Sequence, residues 1–343
     1  MFTNRNHFDT IFYMQKKYLG SVIIMRFPQK TWVAILMVIF LIGCSQSGDN
    51  ENGEINEIDN HVVEIYTSLY PLQYVTEKIG GNTVTVHSIL PPGADAHTYE
   101  PTSKEIISIA KGDLFFYLGA GMEAYAETVA QSLASQDVRL VEIGEDETLF
   151  IKDEHEHDEH GSGHNEHGHG DLDPHIWLDP IRLVQIAEIV KDELITINPD
   201  ADEIYEENYQ VLITELTALD QSFQDMINKK KNKHILVSHA AYGYWEDKYG
   251  IEQISVNGLS SSSEPSQKEL TSIIHQTKEY ALKYILFEEN TSNRVSEIIQ
   301  DEIGAEAAII HNLEVLTEDD IKNNEDYLSI MQSNLETLDK VLQ

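Results

Sequence analysis

The sequence predicts an α/β protein of two lobes, each built on a mainly parallel sheet, with one long rigid helix joining them. Three observations carry that expectation. Strand-like and helix-like segments alternate on both sides of the middle of the chain, the pattern of parallel strands joined by crossover helices. Between them, Tyr205, Tyr209, Leu212, Leu216, Leu219, Phe223 and Met226 recur at spacings of four and three, which lines them along one face of a single helix. Finally, 343 residues at 41% hydrophobic composition suffice for roughly two domains, each with its own core.

Taken in order, the chain opens with Arg26 and Lys30 ahead of an eleven-residue apolar run from Trp32 to Ile42. That run is too short to span a bilayer comfortably and suits the core of a secretory signal over residues 1–43, with Met25 as an ordinary start. Leu41-Ile42-Gly43-Cys44 resembles the bacterial lipoprotein box, in which the cysteine is acylated after cleavage. Cys44 is the only cysteine in the chain, so the reading is export without disulfides and attachment by lipid on Cys44. Residues 44–60 are polar and acidic, a tether.

The N-terminal lobe is expected over 61–198. His61–Thr67 reads as a strand, Ser68–Ile79 as a helix stopped by Gly80-Gly81, and Thr83–Ile89 as a second strand. Pro91-Pro92-Gly93 opens a loop through Pro101, Thr102 and Glu105 form a capping box, and Leu114–Leu118 is a buried strand. Asp179-Pro180 starts a helix over about Ile181–Leu194. The linking helix is expected over 199–231 and on the order of 45 Å long, with Lys229–Lys231 at the negative end of its dipole. The C-terminal lobe, 232–343, reads as strand Ile235–His239, strand Ile251–Val256, helix Ser266–Leu282 and strand Tyr284–Glu288. A helix over Arg294–Ile303, the strand Ala307–Ile310 and a terminal helix Asn324–Leu342 follow.

A formal charge of −36 argues against nucleic acid, since phosphate contacts need clustered Lys and Arg. It suits a protein that handles cations. The histidines sharpen that. His155, His157, His160, His164, His167 and His169 fall within fifteen residues of a polar, glycine-rich loop, 153–170, which reads as an auxiliary, weak metal collector. His175 sits in a different setting, Leu172-Asp-Pro-His-Ile-Trp-Leu-Asp-Pro180, where two prolines and apolar residues restrict the backbone. His97 follows a strand and a Pro-Pro-Gly turn, His239 ends a strand, and Glu288 ends another. Ligands in parallel sheets collect at the loops leaving the carboxyl ends of strands, so these four residues are candidate metal ligands, two from each lobe. Three imidazoles and a carboxylate suit tetrahedral Zn²⁺. His61, His87, His234, His275 and His311 read as structural or surface residues.

Several blocks in this order then carry a family resemblance: Thr67–Leu72, Leu90–Pro101, Asp173–Pro180, Ser238–Tyr244, Gly258–Pro265 and Phe287–Ser292. Over nearly all of the segment after Cys44, the chain resembles the zinc- and manganese-binding substrate-binding lipoproteins of bacterial ABC importers, closest to the zinc branch. The resemblance implies two α/β lobes joined by a single helix with metal in the inter-lobe cleft. It implies His97, His175 and His239 as ligands, and an acidic fourth position at Glu288, with Glu289 or water as alternatives. It further implies an extracytoplasmic, lipid-anchored monomer that passes Zn²⁺ to an ABC permease and its ATPase and is not an enzyme.

Other classes compete. A manganese receptor would carry harder ligands, and a metal-dependent surface adhesin would use the ion structurally. A zinc hydrolase also uses histidines and a glutamate, but no His-Glu-x-x-His occurs and a complete shell leaves no place for substrate. Histidine ligation predicts that affinity falls on acidification, from a reference pKa of about 6.5.

Overall fold

The computed structural model describes residues 62–152, 172–290 and 294–343. The signal segment 1–43, Cys44, the tether 44–60, His61 and the six clustered histidines of 153–170 lie outside the described residues.

The first lobe runs β1 (Val63–Thr67), α1 (Tyr70–Gly80), β2 (Val84–Ser88), α2 (Ser103–Ile109), β3 (Leu114–Tyr117), α3 (Ala126–Leu133) and β4 (Arg139–Glu142). Its strands pair in the order β2-β1-β3-β4, all parallel. Two helices follow, α4 (Pro180–Ile197) and α5 (Asp202–Ile227). The second lobe repeats the plan: β5 (His234–His239), α6 (Gly243–Tyr249), β6 (Glu252–Asn257), α7 (Gln267–Glu279), β7 (Tyr284–Phe287), α8 (Arg294–Ile303) and β8 (Glu306–Ile309). Its order, β6-β5-β7-β8, is again all parallel. The short α9 (Glu318–Asn323) and the terminal α10 (Tyr327–Val341) close the chain. Among the described residues no helix is long and apolar enough to cross a membrane.

Local chemistry sets most helix ends. Thr102 and Glu105 make a reciprocal capping box at α2, and Ser266 and Glu269 do the same at α7. Asp179 caps α4 through Ile181 N–H, with Pro180 at the first helical position. The linking helix is shorter than expected. Pro199–Ala201 form a 3₁₀ turn and α5 begins only at Asp202, which gives 26 residues, about 39 Å. Of the lysines after it, Lys230 reaches another helix: its Nζ donates to the carbonyls of Asp339 and Leu342 at the end of α10. The expected terminal helix from Asn324 also divides. Asn324 adopts a left-handed conformation (φ 56°) that ends α9, and Asp326 starts α10 with its own capping box.

The central strands β3, β5 and β7 are buried on both faces, as in parallel sheets generally. Leu114 and Phe116 of β3 face inward, while Phe115 and Tyr117 face an outer cluster with Val129 and Leu133 of α3. Likewise Ile235 and Val237 of β5 face inward and Leu236 faces α7 and α8. The two inner faces do not form separate cores. Together with α1, α4, α5, α6 and α10 they make one continuous buried cluster, with every residue of the Tyr205–Met226 stripe inside it. Periodicity foretold the apolar face of α5; that both lobes would share it required the third dimension.

Candidate metal centre

Four side chains meet where the loops leaving both sheets converge. His97 lies in the loop between β2 and α2. Its peptide N–H donates to Asp95 Oδ1 at 2.9 Å, a local turn that fixes the backbone at the histidine. His175 precedes a 3₁₀ turn, Ile176–Leu178, and is fully buried. Asp173 Oδ1 accepts from both its peptide N–H (3.0 Å) and its ring Nδ1 (2.8 Å), so backbone and ring are set by one carboxylate. His239 is the last residue of β5, in register with Asn257 of β6. Glu314 lies in the segment after β8, just beyond Leu313, which takes a left-handed conformation (φ 62°) uncommon for leucine. His311 Nδ1 accepts from Leu313 N–H at 2.8 Å and Asn312 Oδ1 accepts from Glu314 N–H at 3.2 Å, which holds that turn.

The Nε2 atoms of His97 and His239 lie 3.3 and 3.2 Å from His175 Nε2. Glu314 Oε1 is 3.8 Å from His97 Nε2 and 4.0 Å from His175 Nε2. All four atoms lie within 4.8 Å of one another. A tetrahedral ion with bonds of about 2.0–2.2 Å needs ligand atoms separated by about 3.3–3.6 Å, so the two closest pairs already have that spacing and the widest would close by about 1 Å around one ion. The donor set agrees with that. Glu314 is fully buried and its Oε1 accepts no hydrogen bond among the described residues, whereas its Oε2 receives Asn290 Nδ2 at 3.1 Å and Ala96 N–H at 3.4 Å. A bare carboxylate oxygen in the interior is costly unless a cation or proton reaches it.

Glu288 stands elsewhere than expected. Its Oε2 lies 2.8 Å from His239 Nδ1, on the far side of the ring from Nε2, and it also receives Asn312 Nδ2 at 3.3 Å. Tyr242 OH donates to its Oε1 at 2.9 Å. Glu289 is exposed. Thus His97, His175 and His239 come together as expected, and the fourth group beside them is Glu314, which sequence reasoning missed. One signal pointed to it: a single acid within the apolar run Leu313-Glu314-Val315-Leu316, four residues after the last strand of the lobe ends at Ile309. Of the histidines set aside as structural, His87 pairs with Glu64, His234 stacks on Tyr280, His275 is exposed and His311 shapes the Leu313 turn.

The electrostatics sort the rings. Burial, reinforced by the two neighbouring imidazoles, holds His97 down to about 2. Burial and the His239 charge hold His175 well below the ordinary imidazole range. Both therefore present a free lone pair at neutral pH. For His239, burial opposes protonation but the adjoining Glu288 outweighs it and raises the ring to about 9. Burial raises Glu314 to about 8, with His239 opposing and Glu288 and Asp95 adding to the rise. Free of an ion, the cluster keeps its lone pairs and protons on different members; a divalent cation would replace the protons.

Known proteins can be set beside this geometry. A family described as zinc-uptake complex component A, periplasmic, matches residues 65–341. The chain is 32% identical over 306 residues to the zinc-binding lipoprotein AdcA of Streptococcus pneumoniae, which covers 89% of this chain but 59% of AdcA. The chain thus spans about three fifths of the AdcA length. It is 30% identical over 313 residues to the high-affinity zinc uptake system protein ZnuA of Bacillus subtilis, covering 90% of this chain and 97% of ZnuA. The crystal structure of the Zn(II)-bound ZnuA-like domain of Streptococcus pneumoniae AdcA superposes with a TM-score of 0.66 at 30% identity, covering 82% of this chain and 98% of that domain.

Proposed function

We propose that this chain, which belongs to the zinc-uptake complex component A family, captures Zn²⁺ outside the cytoplasm and hands it to an ABC permease driven by a cytoplasmic ATPase. In this reading His97, His175, His239 and Glu314 hold the ion, and lipid on Cys44 keeps the monomer at the membrane. The observation that carries it is the convergence of three imidazole nitrogens on Glu314 Oε1, which accepts no hydrogen bond among the described residues. Three imidazoles favour zinc over the harder manganese. A carboxylate in the fourth position leaves no opening for a substrate, which speaks against hydrolysis.

Asp173 and Glu288 have a different task from the ligands. Each accepts from the Nδ1 of a ligating ring, which fixes the tautomer that leaves Nε2 free. The zinc–imidazole–carboxylate arrangement also spreads the charge of the ion over three buried acids. Gly243 is part of this arrangement: a Cβ there would collide with Asp173 Oδ2.

The division of labour between the two glutamates is testable. Structural zinc sites bind with about 10–16 kcal/mol, or about 2.5–4 kcal/mol for each of four ligands. Glu314→Ala should therefore weaken zinc binding by roughly 10²–10³-fold, and zinc-edge absorption should show one oxygen neighbour lost. Glu288→Ala should cost about 10–100-fold with all four neighbours kept. A larger loss at Glu288 than at Glu314 would reverse the assignment.

The pH response should also depart from that of free imidazole. Below its raised pKa, His239 carries protons on both nitrogens, and Glu314 is likewise protonated, so zinc must displace them. Because His97 and His175 are already neutral, they add no dependence near pH 7. Apparent affinity should rise from about pH 6 to about pH 9 and then level off, by roughly tenfold per pH unit for each proton released. Calorimetry in buffers of different ionisation enthalpy measures that release; affinity flat across this range would contradict it.

A further inference from the structure

The three imidazoles are not secured alike. His175 and His239 each have a carboxylate on Nδ1 and side chains with 0% exposure. The His97 side chain is 5% exposed, and its Nδ1 has no hydrogen-bond partner among the described residues. His97 is therefore the most exposed and least braced of the three rings, and its placement depends on the backbone of its loop. That loop is tied to the opposite lobe at three points. Gly93 N–H donates to Leu316 O at 3.0 Å, and Ala96 N–H makes its long contact with Glu314. The shortest tie is Ser261 Oγ donating to Asp95 Oδ2 at 2.5 Å.

We propose that Ser261, acting through Asp95, is the positioning residue for His97 and sets the rate at which zinc leaves. The inference rests on His97 being a zinc ligand, as argued above. Asp95 uses both carboxylate oxygens, one for Ser261 and the other for the His97 peptide N–H, so it transmits the position of one lobe's loop to the other lobe's histidine. Ser261 is itself buried, and its carbonyl accepts from Asn257 Nδ2 at 2.8 Å. Asn257 is the strand partner of His239. A continuous chain of contacts therefore runs from the strand that carries one ligand, through Asn257, Ser261 and Asp95, to the other. This gives the serine-rich block Gly258–Pro265 a role: its turns, Ser263 N–H to Ser260 O at 2.9 Å and Gly258 N–H to Ser263 O at 3.3 Å, hold the Ser261 hydroxyl toward Asp95. Losing that hydroxyl frees the loop to carry His97 away from the ion while His175, His239 and Glu314 keep their places.

The test is zinc release from the full chain, followed by stopped flow into a chromogenic chelator, together with the association rate. Ser261→Ala should release zinc about 10–100-fold faster, the range for loss of a group that orients a ligand, with association unchanged. Ser261→Thr, which keeps the hydroxyl, should release at the parent rate. The unfolding temperature of metal-free Ser261→Ala should fall by only a few degrees, as expected for one lost hydrogen bond, and the single transition should be kept, which separates positioning from general loosening. Release from Ser261→Ala at the parent rate overturns the inference and leaves the zinc site standing, as does a change confined to association. A parent chain that binds no zinc, or that loses none of its affinity in His97→Ala, overturns the ligand assignment and this inference with it.

Discussion

Changing His175 to alanine is expected to weaken zinc binding by roughly 10²–10³-fold, on the same division of about 10–16 kcal/mol among four ligands. His175 is the ring whose Nε2 lies within 3.3 Å of both others, so its loss separates His97 from His239. It also strips Asp173 of the ring that its carboxylate orients. Thermal unfolding reads the effect directly, because an ion that binds only the folded chain stabilises it by mass action. At free zinc about 1,000 times the parent Kd that gain is about 4.1 kcal/mol. In His175→Ala at the same zinc concentration it should shrink to about 0.4–1.4 kcal/mol. With about 2–4 °C per kcal/mol for chains of this order of size, the zinc-induced rise should drop from about 8–16 °C to about 1–6 °C. An undiminished rise in the variant would remove His175 from the shell.

How much of this site could be read beforehand depends on what fixes each group. The three histidines that converge were legible as candidates because each follows a signal written locally: a Pro-Pro-Gly turn before His97, prolines around His175, and an apolar strand ending at His239. The capping boxes at Thr102 and Ser266 were legible for the same reason, since both partners lie within one turn of helix. The fourth position was not. Glu288 and Glu314 are both buried acids near His239, and the rule that ligands gather at strand ends selects Glu288, which directly follows β7. Yet the side chain of Glu288 meets the rear of the ring, while a left-handed turn at Leu313 delivers Glu314 to the front. No periodicity encodes that turn. The shared core escaped the sequence in a similar way, because an apolar stripe states that a face is buried and leaves open what buries it.

That shared core sets the second large expectation. Trp245 of α6 is fully buried, packs against Phe223 of the linking helix at 5.6 Å between ring centroids, and donates Nε1–H to Leu178 O of the first lobe at 2.8 Å. The segment Asp173–Leu178 that presents His175 is held from the second lobe by more than this one bond. Tyr244 OH donates to Asp173 O at 2.7 Å, Tyr327 OH to Trp177 O at 2.6 Å, and Trp177 Nε1–H to Asn312 O at 2.7 Å. A hinge opening widely between the lobes would break all of these within a continuous apolar core, so zinc capture calls for loop adjustment more than lobe rotation. Trp245→Ala should cost about 3–5 kcal/mol for the cavity, with a further cost of about 1–3 kcal/mol if Leu178 O is left unsatisfied. Trp245→Phe, which keeps most of the packing, should cost chiefly that second part. Because the core is common to both lobes, urea unfolding followed by tryptophan fluorescence and by far-ultraviolet circular dichroism should give one coincident transition in the parent. In Trp245→Ala that whole transition should move to lower denaturant. A variant in which one lobe unfolds early while the other keeps the parent midpoint would show that the lobes stand independently, and the rigid scaffold argued for the metal site would go with it.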